Sequence, residues 1–344
     1  MLIREQLPLA PLTTLGVGGP ARYFVEARDE AEVIEAVEFA RTRQVPLFVL
    51  GGGSNVVVAD AGFSGLVLKV AIPDVSRSGA TWLAGAGVDW DDLVAQTVEA
   101  NCAGLECLSG IPGTIGGTPV QNVGAYGQDV SETIREVRVL DLRSLETKTF
   151  SNADCGFAYR TSIFNTTERD HYVILQVSFV LHEGAQPRVH YPDLQKFFAE
   201  HAGELTLADV RSAVREIRHR KAMLIVPGDV DARSVGSFFK NPVLPQPFFE
   251  QLAGRLESRG LQLPSYPAAD GFRKLPAAWL VEHAGFTKGY TKGAVGISRK
   301  HALAIVNRGG ASATEIVALK DEIQARVQDR FGVQLVPEPV FVGF

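Results

Sequence analysis

A strand that runs straight into three glycines and out into three valines leaves this chain few folds. Pro46 to Leu50 is a short apolar run of strand type, and Gly51-Gly52-Gly53-Ser54-Asn55 follows at once. Val56, Val57 and Val58 come next. Glycines let backbone amides approach an anion closely, and Ser and Asn side chains add hydrogen bonds. Two familiar phosphate loops do not fit. A P-loop ends in Gly-Lys-Ser/Thr, which is absent here. A dinucleotide fingerprint opens a helix, whereas three β-branched valines favour a strand. The remaining readings are a strand–loop–strand cradle and a tight hairpin turn, and the local sequence suits either.

A second loop narrows the choice. Leu105 to Val130 is dense in glycine: Ser109-Gly110-Ile111-Pro112-Gly113-Thr114-Ile115-Gly116-Gly117, then Gln121-Asn122-Val123-Gly124-Ala125-Tyr126-Gly127. Loops this long without secondary structure are usually functional or disordered. Ile111, Ile115, Val120, Val123 and Tyr126 are spaced through it, which argues against disorder. The glycines would admit the backbone to a large, flat, phosphate-bearing ligand; the plainer reading is a surface Ω-loop.

Around these loops strands and helices alternate. Strands are expected at Arg22–Ala27, Gly65–Val70, Thr81–Ala84, Ile134–Leu140, Thr147–Phe150 and Tyr172–Leu181. Asp29 can cap a helix to about Gln44, and Asp89 one that carries Trp90, Leu93, Val94 and Val98, with Gly104 beyond its end. Thr206 with Asp209, and Ser312 with Glu315, have capping-box spacing. Further helices are expected near Pro247–Arg259 and Pro276–His283. Gly332 should end the Ser312 helix, and Val333–Phe344 is strand-like. The polar, turn-rich Pro227–Ser234 marks a boundary. At roughly 150 residues per domain, 344 residues suggest two or three domains.

Composition removes whole classes of function. A net charge of −5 argues against broad nucleic-acid or membrane-surface binding. Cys102, Cys107 and Cys155, with no CxxC spacing, read as reduced thiols and not as a disulfide frame or a metal site. Met1–Pro11 has no apolar targeting core, and no run of roughly 18 apolar residues occurs, so a cytoplasmic protein is expected.

The motifs together resemble one family. Thr13-Thr14-Leu15-Gly16-Val17-Gly18-Gly19, the two glycine loops, Tyr159-Arg160-Thr161-Ser162-Ile163-Phe164, Gly236-Ser237-Phe238-Phe239-Lys240-Asn241-Pro242 and Pro337-Glu338-Pro339 occur in the order found in UDP-N-acetylenolpyruvoylglucosamine reductases. The resemblance runs from about Leu12 to Phe341. It implies an α/β fold of the vanillyl-alcohol-oxidase (PCMH) type: FAD-binding subdomains at 1–71 and 72–226, and a smaller α+β substrate domain at 227–331. The C-terminal strand, 332–344, would rejoin the second subdomain and carry Glu338 to the flavin.

By the same resemblance, NADPH reduces FAD and leaves, and the enolpyruvyl ether of UDP-N-acetylglucosamine enters. FAD would be held by Gly51, Gly52, Gly53, Ser54, Asn55 and Val56, by Ile111, Pro112, Gly113, Thr114, Gly116 and Gly117, and by Gln121, Asn122, Gly124, Ala125 and Tyr126. Hydride goes from flavin N5 to the terminal methylene carbon. The negative charge that develops beside it needs cationic or hydrogen-bonding stabilisation and a positioned acid. Arg160 suits the carboxylate, with its planar fork of donors. Glu338, protonated, would donate to the same enolate, and Ser237 would give the proton. A serine hydroxyl is a weak acid, so that role requires close placement and a cationic neighbour, for which Lys240 or Lys221 are candidates. Tyr159, Tyr191, Arg218, Lys221, Lys240, Asn241 and His301 are the expected substrate contacts. The chain would act as a monomer on small molecules alone. No nicotinamide-binding motif is visible, consistent with NADPH using the substrate's site in turn.

Two other classes compete. A flavoprotein oxidase of the same fold often carries flavin on His or Cys, yet none of the 7 histidines lies in the glycine loops. A nucleotide-binding protein without catalysis would have little reason to keep Arg160, Ser237 and Glu338 together.

Overall fold

The structure is a computed structural model that describes all 344 residues. The chain forms two compact units. The first comprises Met1–Pro8, Pro20–Ser54 and Gly62–Leu224; the second comprises Leu9–Gly19, Asn55–Ala61 and Ile225–Phe344.

In the first unit, a four-stranded sheet runs Ile3–Pro8, Pro20–Ala27, Phe63–Val70, Leu47–Leu50. Its first pair is antiparallel and the other two are parallel. The helix Glu30–Thr42, capped by Asp29 as expected, buries Val33, Ala36, Val37 and Ala40. A five-stranded antiparallel sheet runs Thr147–Ser151, Ile134–Asp141, Tyr172–Val180, Thr81–Gly85, Val75–Ser78. Phe179 of this sheet, Trp90 and Leu93 of the helix Trp90–Glu99, and Leu105 and Leu108 of the long loop are fully buried in one core. Fully burying one such side chain stabilises by about 1.5–3 kcal/mol, which makes this core the anchor for the loops above it. The helix Trp90–Glu99 leaves through Asn101 in the left-handed region (φ 53), not through Gly104. Asparagine tolerates that conformation, so the exit comes earlier.

The second unit has three helices of seven residues or more, Gln246–Glu257, Ala277–His283 and Ala313–Phe331, around small antiparallel sheets. Gly332, at φ 71, ends the last helix as expected. Only Val340–Val342 of the C-terminal stretch is a strand, because Pro337 and Pro339 lack the N–H a ladder needs. It pairs in parallel with Val56–Val58.

Asp60 ties this unit together. Its carboxylate accepts from the amides of Ala313 (2.7 Å) and Thr314 (2.9 Å) and from the Thr314 hydroxyl (2.6 Å). It thus neutralises the exposed amides at the start of a long helix. Burial alone would raise its pKa; the three bonds outweigh that and hold it below the ordinary 3.8. Asp60→Ala is expected to cost about 1–2 kcal/mol of stability at neutral pH. Because the folded pKa is the lower one, that difference is full above the unfolded value and fades as pH falls through the folded one. Thermal unfolding of both proteins across pH checks it; a gap that widens in acid would contradict the assignment.

All three cysteines are buried and unpaired. Burial pushes the thiols of Cys107 and Cys155 up to about 12, so neither supplies a thiolate. No helix is long and apolar enough to cross a membrane.

Candidate active site

The first glycine loop is not a hairpin turn. The strand before it, Leu47–Leu50, pairs with Phe63–Val70, and the strand after it, Val56–Val58, pairs with Val340–Val342. In the first unit this loop meets the second one, backbone to backbone. A Cβ on Gly52 would stand 2.6 Å from the Gly113 Cα, and one on Gly51 3.1 Å from the Thr114 hydroxyl. Ser54 Oγ donates to the Pro112 carbonyl at 2.8 Å. The second loop is fastened from behind, since Ile115 and Gly116 donate to Val88 and Ala86. The amides of Gly52, Gly53 and Ser54 donate to no carbonyl of the chain, and a Cβ on Gly117 would meet open space. Successive unpaired amides beside glycines that keep the surface open suit a diphosphate. The residues present therefore fit the diphosphate of FAD.

The second half of the long loop is held by strain and by charge. Asn122 (φ 45), Tyr126 (φ 50) and Arg160 (φ 54) all lie in the left-handed region, where a non-glycine backbone is costly. The Arg160 guanidinium donates to the carbonyls of Asn122 (3.4 Å) and Gly124. Asn122 returns a bond to the Ala158 carbonyl at 3.0 Å. A Cβ on Gly124 would fall 1.6 Å from the Asp129 carboxylate, so that side chain would have to move aside. Arg160 also lies over the Tyr159 ring at 5.4 Å. Behind the loop, the buried Glu106 accepts from Gln128 Nε2 (2.8 Å) and the Gly104 amide (2.7 Å), while Gln128 Oε1 accepts from the Cys107 amide (2.8 Å). Nothing in the local sequence marks Glu106 as a strut; its partners become visible only in the fold.

Tyr126 and Tyr191 meet edge to face at 5.4 Å. Tyr126 is buried, which is the main reason its phenol is pushed up, whereas Tyr191 stays 41% exposed. Lys221 pairs with Asp193 at 2.5 Å and lies 6.0 Å from the Tyr126 ring centre. Burial works against its charge, but Asp193 and the two tyrosines hold its pKa above the ordinary value. Arg218 is only 5% exposed and donates to the carbonyls of Gly110 (3.0 Å) and Met223 (2.8 Å). It thus ties the Gly110 end of the long loop to the turn that follows its own helix. Asp91 works beside it, accepting from the Gly110 amide (2.6 Å) and pairing with Arg211 and Arg215.

The second unit assembles the other candidates on one ladder. Phe238 donates to the Leu303 carbonyl (2.9 Å), Glu338 donates to Phe238 (2.9 Å), and Lys240 donates to Val336 (2.9 Å). The segment that carries Ser237 therefore lies between the segments that carry His301 and Glu338. Ser237 Oγ is 2.9 Å from His301 Nε2. The neighbour of this hydroxyl is thus a histidine, a partner that the local sequence around Ser237 does not announce. The Glu338 carbonyl accepts from Asn55 Nδ2 at 3.4 Å, and Val340 donates to Asn55 O at 2.9 Å. Asn241 uses its amide oxygen to accept from Ala277 at the start of a helix (2.9 Å). In the opening motif, a Cβ on Gly18 would stand 2.6 Å from that of Val58, and Thr14 Oγ1 donates to the Ser234 carbonyl at 2.6 Å.

Comparison with known proteins agrees with these features. Residues 21–145 match the family model described as FAD binding domain, and residues 228–342 match that of the UDP-N-acetylenolpyruvoylglucosamine reductase C-terminal domain. The chain is 47% identical over 349 residues to a UDP-N-acetylenolpyruvoylglucosamine reductase of Thermobifida fusca, covering 98% of both chains. It is also 47% identical to one from Streptomyces coelicolor, covering 98% of this chain and 89% of that one. A crystal structure of UDP-N-acetylenolpyruvylglucosamine reductase from Thermus caldophilus superposes with a TM-score of 0.69 at 25% identity, covering 99% of this chain and 100% of the other. Its C-terminal segment carries that family's own signature and its relatives match from end to end, so this chain belongs to the UDP-N-acetylenolpyruvoylglucosamine reductase family of FAD-dependent oxidoreductases.

Proposed function

We propose that this chain reduces UDP-N-acetylglucosamine enolpyruvate to UDP-N-acetylmuramate, in the cytoplasm and as a monomer, for peptidoglycan precursor synthesis. The observation that carries the reading is the end-to-end likeness to named reductases. The same proposal takes 1–71 and 72–226 as the flavin-holding part and 227–331 as the substrate domain.

FAD, when bound, supplies the hydride that NADPH provides. Gly51–Val56, Ile111–Thr114, Gly116, Gly117, Gln121, Asn122 and Gly124–Tyr126 are the residues that would hold it. Hydride addition at the terminal methylene leaves negative charge on the adjacent carbon and on its carboxylate. Arg160 meets that carboxylate with a fixed fork, already oriented by two backbone carbonyls. Glu338 gives a further hydrogen bond to the same oxygens. Ser237 gives the proton that completes the lactyl ether. Tyr159, Tyr191, Lys221, Lys240 and Asn241 are the side chains that this reading would assign to the nucleotide sugar.

Gly52→Ala tests the cradle. Forcing a methyl against the Gly113 backbone costs about 1–3 kcal/mol, so flavin should bind about 5- to 150-fold more weakly. Flavin retained per protein after gel filtration reads this directly. Full occupancy in the variant would remove these loops from the flavin site.

The activity itself is tested by the stoichiometry of turnover. One NADPH should be consumed per lactyl product found by mass spectrometry, with no oxygen uptake. Oxygen uptake with an alcohol or sugar, and no lactyl product, would instead identify an oxidase of the same fold.

A further inference from the structure

We propose that His301 is a positioning residue for Ser237, returning a proton to the serine hydroxyl as that hydroxyl gives its own to carbon. The inference rests on the reading of Ser237 as proton donor. Ser237 Oγ lies 2.9 Å from His301 Nε2, and both side chains are half-buried. The contact is built in, not incidental. Just beyond the contact, Phe238, which follows Ser237, donates to the carbonyl of Leu303, two residues past His301, at 2.9 Å, which fixes the register between the two segments. The turn that presents the ring is closed by Ser298 Oγ, which accepts from the amides of Lys300 (3.1 Å) and His301 (3.3 Å). The flanking Ala302 and Leu303 are buried. Ring and hydroxyl are therefore held in reach before any substrate arrives.

The chemistry explains why such a partner is required. A serine hydroxyl is a far weaker acid than the groups that usually act as general acids, and its oxyanion is correspondingly unstable. In the step proposed, the Ser237 O–H bond breaks as the C–H bond forms at the carbanion. The Nε2–H bond of a doubly protonated His301 then breaks as a new O–H bond forms on Ser237. The ring ends neutral and is reprotonated by solvent. No electrons move beyond the hydride and proton already counted. His301 acts only through Ser237, and so differs from the substrate contact that the sequence suggested.

The test uses the flavin-loaded full chain, wild type against His301→Gln, His301→Asn, Ser237→Ala and the double variant His301→Gln/Ser237→Ala. Both half-reactions are followed anaerobically. The histidine variants should bleach flavin with NADPH within about twofold of wild type. At saturating enolpyruvyl substrate they should reoxidise it about 100-fold more slowly, with an enlarged deuterium-oxide effect. Adding His301→Gln to Ser237→Ala should cost little more, because the two act as one unit. A readout independent of turnover is ¹⁵N NMR of the histidine rings, where Ser237→Ala should shift His301 Nε2 and leave Nδ1 nearly unchanged.

A saturating rate that survives in His301→Gln, with only a higher substrate requirement, would make His301 a substrate contact and overturn the proposal. Loss of both half-reactions together, or an unmoved Nε2 signal, would overturn it as well. If the wild type itself is not reoxidised by this substrate, the functional reading fails first and this proposal falls with it.

Discussion

Ser237→Ala should bleach its flavin with NADPH within about twofold of wild type, yet return it to the oxidised state about 1000-fold more slowly with the enolpyruvyl substrate. The asymmetry follows from the chemistry. Reducing flavin needs no proton on the substrate carbon, whereas completing the lactyl ether does. Removing one oxygen leaves the ladder intact, because Phe238 and Lys240 hold their neighbours through backbone atoms, donating to Leu303 and Val336. Rapid-mixing absorbance separates the two half-reactions. Equal rates in both would remove Ser237 as the proton donor.

Arg160→Lys should lower reoxidation by about 100-fold and leave flavin reduction much less affected. Lysine has one compact ammonium in place of a planar fork and cannot reproduce bidentate contact with a carboxylate. The substitution also loses the bonds to Asn122 O and Gly124 O that brace the second glycine loop. These two roles separate in the data. Loss of the brace alone lowers flavin content and slows both half-reactions in step. Loss of the carboxylate contact slows reoxidation selectively in molecules that still hold flavin.

Much of the local architecture was legible in the sequence, because helix ends are written within a few residues. Asp29 and Asp89 cap the helices that follow them, and the boxes Thr206/Asp209 and Ser312/Glu315 both form. Legibility stops where partners are distant. The edge strand Ile3–Pro8 is mostly exposed and so shows no apolar alternation. The pairing of Val56–Val58 with Val340–Val342 joins segments far apart in the chain, and no local signal specifies it. The same holds within the site. Each glycine loop could be recognised as a loop that admits a ligand, but not that Gly52 would rest on Gly113. Ser237 could be singled out with its motif, but its neighbour His301 lies 64 residues away. Arg218, chosen as a basic substrate contact, turns inward to backbone carbonyls because its helix packs that face against the long loop.

On the proposed function, flavin reduced by NADPH hands its electrons to an enolpyruvyl ether. The direct measurement is a single anaerobic turnover of the wild-type protein: bleach the flavin with NADPH, add UDP-N-acetylglucosamine enolpyruvate, and follow the yellow absorbance. The oxidised flavin should return promptly, with one lactyl product formed per flavin. Flavin that stays bleached with this substrate and recovers only in air would contradict it.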